Sequence, residues 1–199
     1  YTGNGTNSQT VGHGFSSAPK FVVVKGRDSA SNWVTWHTNL TSDKVLYWDG
    51  NAAEGTLSSG YITSIGATTF TLTDGSGGGN NVNKASDKYV FMAFQEIEGF
   101  SRFGTYEGTG AADGPYIYCG FRPRLLWVKD MDNADDWGIF DTVRNTYNPV
   151  NSTLRIDTNG AENTGDAGRA IDFYANGFKQ RTSNATFNQS GATFIYAAF

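Results

Sequence analysis

Hydrophobic residues in this chain come in short bursts separated by Gly, Asn, Asp and Ser. Bursts of that length, so punctuated, predict strands joined by tight turns. In the N-terminal half the predicted strands are Gln9–His13, Phe21–Lys25, Trp33–His37, Val45–Trp48, Tyr61–Thr63, Thr68–Thr73 and Lys88–Phe94. In the C-terminal half they are Pro115–Cys119, Arg124–Lys129, Trp137–Asp141, Thr153–Asp157, Ala170–Tyr174, Phe178–Thr182 and Thr193–Phe199. Phe21–Lys25 is a continuous apolar run, the mark of a strand covered on both faces. Asp49-Gly50-Asn51 reads as a turn and Asp74–Asn81 as a flexible loop. Neither half shows a convincing helix.

The two series match. Phe15–His37 (FSSAPKFVVVKGRDSASNWVTWH) and Phe121–Asp141 (FRPRLLWVKDMDNADDWGIFD) share a proline, a strand ending in lysine, a polar loop with an aspartate and a tryptophan-led strand. The pairs are Phe15 with Phe121, Pro19 with Pro123, Lys25 with Lys129, Asp28 with Asp132, Trp33 with Trp137, and Trp36 with Phe140. The openings Tyr1-Thr2-Gly3-Asn4-Gly5 and Tyr106-Glu107-Gly108-Thr109-Gly110 match too, as do Leu46 with Leu154, Asn51 with Asn159, Glu54 with Glu162, and Phe70 with Phe178. The chain is therefore expected to be all-β, a tandem duplication of a β-sandwich or jelly-roll-like unit of about a hundred residues. The repeats would be 1–104 and 105–199. The alternative is one larger lectin-like sandwich built from both copies.

Composition narrows the function classes. The net charge is −4 and charged residues make up 17% of the chain, which argues against nucleic-acid binding. No apolar run has the length of a membrane-spanning helix. Cys119 is the single cysteine, so no disulfide forms within the chain, and its aromatic strand predicts a buried thiol. Because the chain opens where a repeat opens, it is expected to be a mature product or a piece of a longer protein.

Candidate chemistry is sparse. The shared Trp33/Trp137 and Trp36/Phe140 are expected in the core, as are Trp48 (paired with Ile156) and Trp127 (paired with Val23), and no aromatic stands out as a sugar-stacking platform. Asp130–Asp136 has oxygen ligands at alternate positions, which suggests calcium, but Ala134 breaks the EF-hand pattern and a solvated turn is the plainer reading. Glu96 and Glu98 lie two apart and suggest paired carboxylates for glycoside hydrolysis; an ion pair with Arg102 is the plainer reading. His13 and His37 belong to no metal-spaced cluster, and Gly75–Asn81 lacks the lysine of a phosphate cradle. Asn4, Asn39, Asn151, Asn184 and Asn188 stand in Asn-x-Ser/Thr triplets. No catalytic, cofactor-binding or metal residue is assigned, and no cofactor is expected.

Several motifs together resemble the repeats of virion proteins of tailed bacteriophages, especially marine and cyanobacterial ones. They are the Tyr-x-Gly-x-Gly opening, the strand–Lys-x-x-Asp loop, the Trp-led strand, Asn176-Gly177-Phe178, the ending SGATFIYAAF, and above all EIEGFSRFGTYEGTGAADGPYIYCGFRPRLLWVK. Gly55–Ile65 and the Gly-rich loop depart from the pattern. The resemblance implies an all-β, lectin-like sandwich on the particle surface, in a tail fibre, head fibre or capsid decoration. It implies a non-enzymatic structural or adhesion role, with partners in itself, other virion proteins and a host-surface glycan. A carbohydrate-binding module of a secreted or surface protein is the alternative, and it predicts exposed aromatics on one sheet face or a calcium-supported loop.

Overall fold

A computed structural model describes residues 1–41, 43–74 and 82–199. The chain divides into two compact units, Tyr1–Gln95 and Glu96–Phe199. The first contains β1 (Gln9–Gly12), β2 (Phe21–Gly26), β3 (Val34–His37), β4 (Lys44–Tyr47), β5 (Gly55–Thr56), β6 (Ile62–Ile65), β7 (Thr69–Leu72) and β8 (Tyr89–Phe94). One sheet has the order β5-β4-β3-β2-β8 and the other β1-β7-β6, with antiparallel pairing throughout. Val22, Val24, Val34 and Val45 from the first sheet meet Val11, Ile62, Phe70 and Leu72 from the second in one core. The unit is thus a two-layer β-sandwich.

The second unit contains β9 (Arg102–Glu107), β10 (Tyr116–Tyr118), β11 (Leu125–Asp130), β12 (Gly138–Asp141), β13 (Leu154–Arg155), β14 (Ile171–Tyr174), β15 (Gly177–Gln180) and β16 (Thr193–Ala198). Its sheets run β13-β12-β11-β16-β9 and β10-β15-β14. Leu126, Val128, Phe140, Phe194 and Tyr196 face Ile117, Ile171, Phe173 and Phe178 across its core.

The two units share a pairing scheme. Val24 pairs with Val34 and Val128 with Gly138; Thr35 pairs with Leu46 and Ile139 with Leu154. Val11 opposes Phe70 as Ile117 opposes Phe178. Even a size change is compensated. Where the first core has Val34 and Val82, the second has Gly138 and Phe187, and a Cβ on Gly138 would lie 2.4 Å from the Phe187 ring. The small residue makes room for the large one, keeping the core filled.

Each expected strand is present, with ends shifted by a few residues. Val22, Val23 and Val24 are all buried, as the continuous run in β2 requires. The expected boundary after residue 104 falls inside β9, which pairs along its whole length with β16, so the units divide before Glu96 instead. Sequence reading missed β9 because RFGTYE is half polar and carries a glycine. It also missed β5 and the one-turn helix α1 (Ala185–Asn188), capped by Asn184, whose side chain accepts from the Thr186 N–H at 2.9 Å. In the expected loop Asp74–Asn81, residues 75–81 lie outside the described residues.

Candidate functional site

The residues common to both units are taken up by the fold. The Tyr1 ring stacks on Tyr89 at 5.0 Å, and Tyr106 stacks on Phe194 at 4.9 Å. The Tyr1 hydroxyl donates to the Val82 carbonyl at 2.6 Å and that of Tyr106 to Phe187 at 2.8 Å. A Cβ on Gly3 would sit 2.3 Å from the Lys84 carbonyl oxygen, and one on Gly108 2.1 Å from that of Gln189. Gly5 and Gly110 hold φ of 70° and 66°, where glycine is favoured. Each bend is closed by a buried asparagine. Asn83 Oδ1 accepts from the Asn4 N–H at 2.9 Å and its Nδ2 donates to the Thr6 carbonyl at 2.8 Å; Asn188 does the same with Thr109 and Ala111, at 2.8 Å each.

Other pairs behave alike. Asp28 accepts from the Lys88 N–H at 2.8 Å, and Asp132 from Thr193 at 2.7 Å. The Trp33 N–H donates to Asp49, as the Trp137 N–H does to Asp157. Trp137 and Phe140 are fully buried and Trp36 packs half-buried against the core of its unit, whereas Trp33 and Trp127 are half-buried and belong to neither core, a correction to the core expectation. Trp33 packs edge-on to Trp48, and Trp127 to Phe199.

The acidic loop is spent on its own backbone. Asp130 is buried, not solvated, and accepts from the Asp132 N–H, the Asn133 N–H and Asn133 Nδ2 at 2.8, 3.0 and 3.1 Å. Asp136 pairs with Arg155 at 2.8 Å. Lys129 is buried beside them, its ammonium donating to the Asp130 and Asn133 carbonyls. Burial brings its pKa down to about 8, against the pull of the surrounding aspartates. Lys25 makes the corresponding bond to the Ser31 carbonyl. Among the described residues no three His, Cys, Asp or Glu gather as metal ligands.

Glu96 and Glu98 do border one cleft of about 380 Å³, with Ser101, Arg102, Tyr118 and Cys119. Both oxygens of Glu96 are engaged, one by Arg102 and one by the Phe103 N–H, each at 3.3 Å. Glu98 stands exposed on the turn. His13 and His37 are buried; their Nδ1 atoms accept from the N–H groups of Phe15 and Asn39 at 3.2 Å. Cys119 is buried, and desolvation pushes its thiol up to about 12. Asn188 is buried within its bend, which takes it out of the set of accessible acceptors.

What is left over lies on the outer face of β10-β15-β14. Ile117, Phe173 and Phe178 point into the core, so their neighbours point out. Two rows cross this face: Tyr116–Lys179–Asp172 and Tyr118–Gly177–Tyr174. Tyr118 is 62% exposed, Tyr116 46% and Tyr174 40%. Tyr116 and Tyr174 meet edge to face at 5.8 Å, and their hydroxyls are tied to Asn176 Oδ1 and to Asp172 Oδ2. Gly177 leaves the middle of its row without a side chain, and the Tyr116 hydroxyl lies over it, 2.9 Å from where a Cβ would be.

Charge on this face cancels. Asp113 pairs with Lys179 at 2.7 Å and Arg181 at 3.3 Å, and Arg181 reaches Asp172 at 3.5 Å. The Lys179 contact holds the exposed Asp113 carboxyl below its ordinary range. Asp172 and Arg181 also line an adjoining cleft of about 440 Å³ with Asn148, Pro149 and Asn151. This exposed aromatic face departs from the expectation that no aromatic stands out as a platform; in the sequence Tyr116 and Tyr118 are only neighbours of Cys119 in its aromatic strand. Their period-two spacing around Ile117 was the signal that both face outward.

The chain belongs to the family described as Domain of unknown function (DUF7483), whose model matches residues 1–199. No curated protein and no solved structure matches it.

Proposed function

We propose that this member of the family is a non-enzymatic adhesion and structural module of a tailed-bacteriophage particle, and that it contacts an uncharged surface glycan through Tyr116, Tyr118 and Tyr174. The observation that carries this reading is the anchored tyrosine face. Two of its three hydroxyls are fixed by hydrogen bonds, so binding costs little rotamer entropy. Exposed tyrosine offers an apolar ring to a sugar face and a polar edge to its hydroxyls. Balanced charges nearby favour a neutral ligand over a phosphate or an acidic polymer.

The setting on a virion rests on the resemblance of the repeat motifs, and the two corresponding pairing schemes support descent from a tandem duplication. The absence of an assigned reaction rests on how the acids are used: Glu96 on Arg102, Asp130 on its own loop, Asp136 on Arg155. A secreted carbohydrate-binding module is the second reading, favoured by the same face.

A glycan array probed with the whole chain tests the ligand. Binding to uncharged polysaccharide is expected. Tyr116→Ala and Tyr174→Ala should each lose about tenfold or more in affinity, the scale of an interface hot spot, with thermal unfolding little changed. Failure to bind any glycan overturns the ligand assignment. Mass spectrometry of purified particles tests the setting: finding the protein only in culture supernatant favours the secreted module.

A further inference from the structure

The connection that follows β12 is longer than its counterpart in the first unit. Residues 38–43 join β3 to β4, whereas residues 142–153 join β12 to β13. The longer connection is tied down along its length. The Arg144 guanidinium donates to Glu162 at 2.7 Å and to the Ile139 carbonyl at 2.9 Å. Asn145 Oδ1 accepts from the Asn151 and Ser152 N–H groups at 3.2 and 2.7 Å. Asn148 brackets Phe173 of β14, donating to its carbonyl and accepting from its N–H, both at 3.0 Å. Val150 exchanges two hydrogen bonds with Ile171, at 2.7 and 2.9 Å. The segment is thus fixed along the edge of β14.

This segment walls the cleft of about 440 Å³ that adjoins the tyrosine face, a cleft built wholly from residues 148–181. Its volume lies in the range of about 300–1,000 Å³ that small-ligand sites occupy. Pro149, Ala167 and Ala170 give it an apolar side, and Asn151, Asp172 and Arg181 a polar one. Asp172 Oδ2 accepts from the Tyr174 hydroxyl at 3.3 Å and lies 3.5 Å from Arg181 Nε. Among the described residues, Asp172 Oδ1, Arg181 Nη2 and the Asn151 carboxamide have no hydrogen-bond partner. In the first unit Ser64 stands in the place of Asp172 and Thr73 in that of Arg181. The Thr73 hydroxyl is spent on its own sheet, accepting from the Gly60 and Tyr61 N–H groups at 2.6 and 3.0 Å. The sandwich therefore forms without the Asp172–Arg181 pair.

We propose that this cleft is a saccharide subsite beside the tyrosines, which takes the next sugar of a neutral chain of two or more units. One hydroxyl of that sugar donates to Asp172 Oδ1 and the adjacent hydroxyl accepts from Arg181 Nη2, while a C–H face of the ring lies on Pro149 and Ala170. The proposal rests on the glycan reading of the tyrosine face. The hydrogen bond from Tyr174 to Asp172 makes the two surfaces continuous. The carboxylate and guanidinium offset each other, which suits an uncharged sugar. A wall already fixed by hydrogen bonds loses little freedom when the sugar enters.

Titration of the whole chain with neutral oligosaccharides tests the subsite, from a single glucose, mannose or galactose unit upward, followed by amide NMR shifts. At least one series should bind as a disaccharide at least about tenfold tighter than as the single sugar, the scale of one hydrogen bond to a charged group. The Asn151 and Asp172 amides should shift with the disaccharide and not with the single sugar. Ala167→Trp, which fills the cleft from an exposed position, and Arg181→Ala, which removes the donor, should each abolish that gain. Tyr116→Ala should weaken both ligands and keep their ratio. Equal affinity for the single sugar and for longer chains overturns the subsite and leaves the tyrosine reading standing. A gain with length that survives both cleft variants also overturns it, since the second sugar then lies elsewhere. If no oligosaccharide binds, the glycan reading fails and the subsite with it.

Discussion

On the outer face of β1-β7-β6 the cross-sheet row is Thr10, Thr71 and Ser64; on β10-β15-β14 the same row is Tyr116, Lys179 and Asp172. The neighbouring row is Gly12 opposite Thr69 in one sheet, and Tyr118 opposite Gly177 with Tyr174 beyond in the other. Backbone pairing is shared between the units while the exposed side chains are not. The fold therefore does not ask for tyrosine on this face, because the same sheet forms with threonine and glycine. The buried asparagines, the stacked Tyr1 and Tyr106 and the close-packed Gly3 and Gly108 are the reverse case: their roles recur because the sandwich requires them.

The largest effect expected from breaking the common set is at the glycines. Gly108→Ala drives a methyl group against the Gln189 carbonyl oxygen, and Gly3→Ala drives one against that of Lys84. Neither neighbour is a flexible side-chain end, so the backbone must move. Each variant should lose roughly 3 kcal/mol or more by urea denaturation, at the upper end of overpacking costs. A loss in one unit and not the other would show that the correspondence is superficial.

Asn188→Ala and Asn83→Ala come next. Asn188 Nδ2 also donates to the Thr182 carbonyl at 2.7 Å, and truncation strands these buried partners. A loss of about 2 kcal/mol in each unit follows from the usual cost of an unsatisfied buried group. Equal losses at the two sites would sharpen the contrast with the tyrosines, whose removal should affect binding and hardly affect stability.

These asparagines also mark how far the sequence could be read. Strands were legible because apolar clusters and turn residues are local signals, and the recurrence of Tyr-x-Gly-x-Gly was visible as a string. Its reason was not: Asn83 lies 79 residues from Asn4, and Asn188 lies the same distance from Thr109. Nothing in the string announces that pairing, and Asn188 looked like a glycosylation acceptor. The tyrosine face was half legible. Tyr116 and Tyr118 flank an inward isoleucine, but Tyr174 joins them only through the β15 register. The acidic loop misled in the other direction, since Asp130 looked solvated and is the buried hub of its turn.

Lys129 gives a pH test confined to the second unit. Its pKa is lowered to about 8 by burial, while the unfolded chain keeps the ordinary lysine value, about 10.4. Between these values the unfolded state binds more protons, so this residue's contribution to stability rises as pH increases. Burial also raises Cys119, Tyr106 and Tyr196; the thiol opposes the trend above about pH 8.5 and the tyrosines above about pH 10, where their unfolded forms ionise. Comparing unfolding midpoints of the wild type and Lys129→Met from pH 7.5 to about 9.5 isolates the lysine, since the variant should lack the rise. Parallel pH profiles would mean that the ammonium is not desolvated as its burial implies.

The smallest expected effect is the most direct probe of the comparison. Thr10→Tyr with Gly12→Tyr writes the β10 tyrosines onto β1. Thr10 is exposed, and a Cβ on Gly12 meets nothing closer than the Thr68 carbonyl at 4.0 Å. Surface changes of this kind stay within about 0.5 kcal/mol. Glycan binding should not double, because Gly66 stands where Tyr174 does and Ser64 and Thr71 replace the ion-paired Asp172 and Lys179. A variant that binds at two equivalent sites would show that two tyrosines on one strand suffice, and that the charged row and Tyr174 are bystanders. An unfolded variant would show that the threonines and glycine of β1 belong to the fold after all.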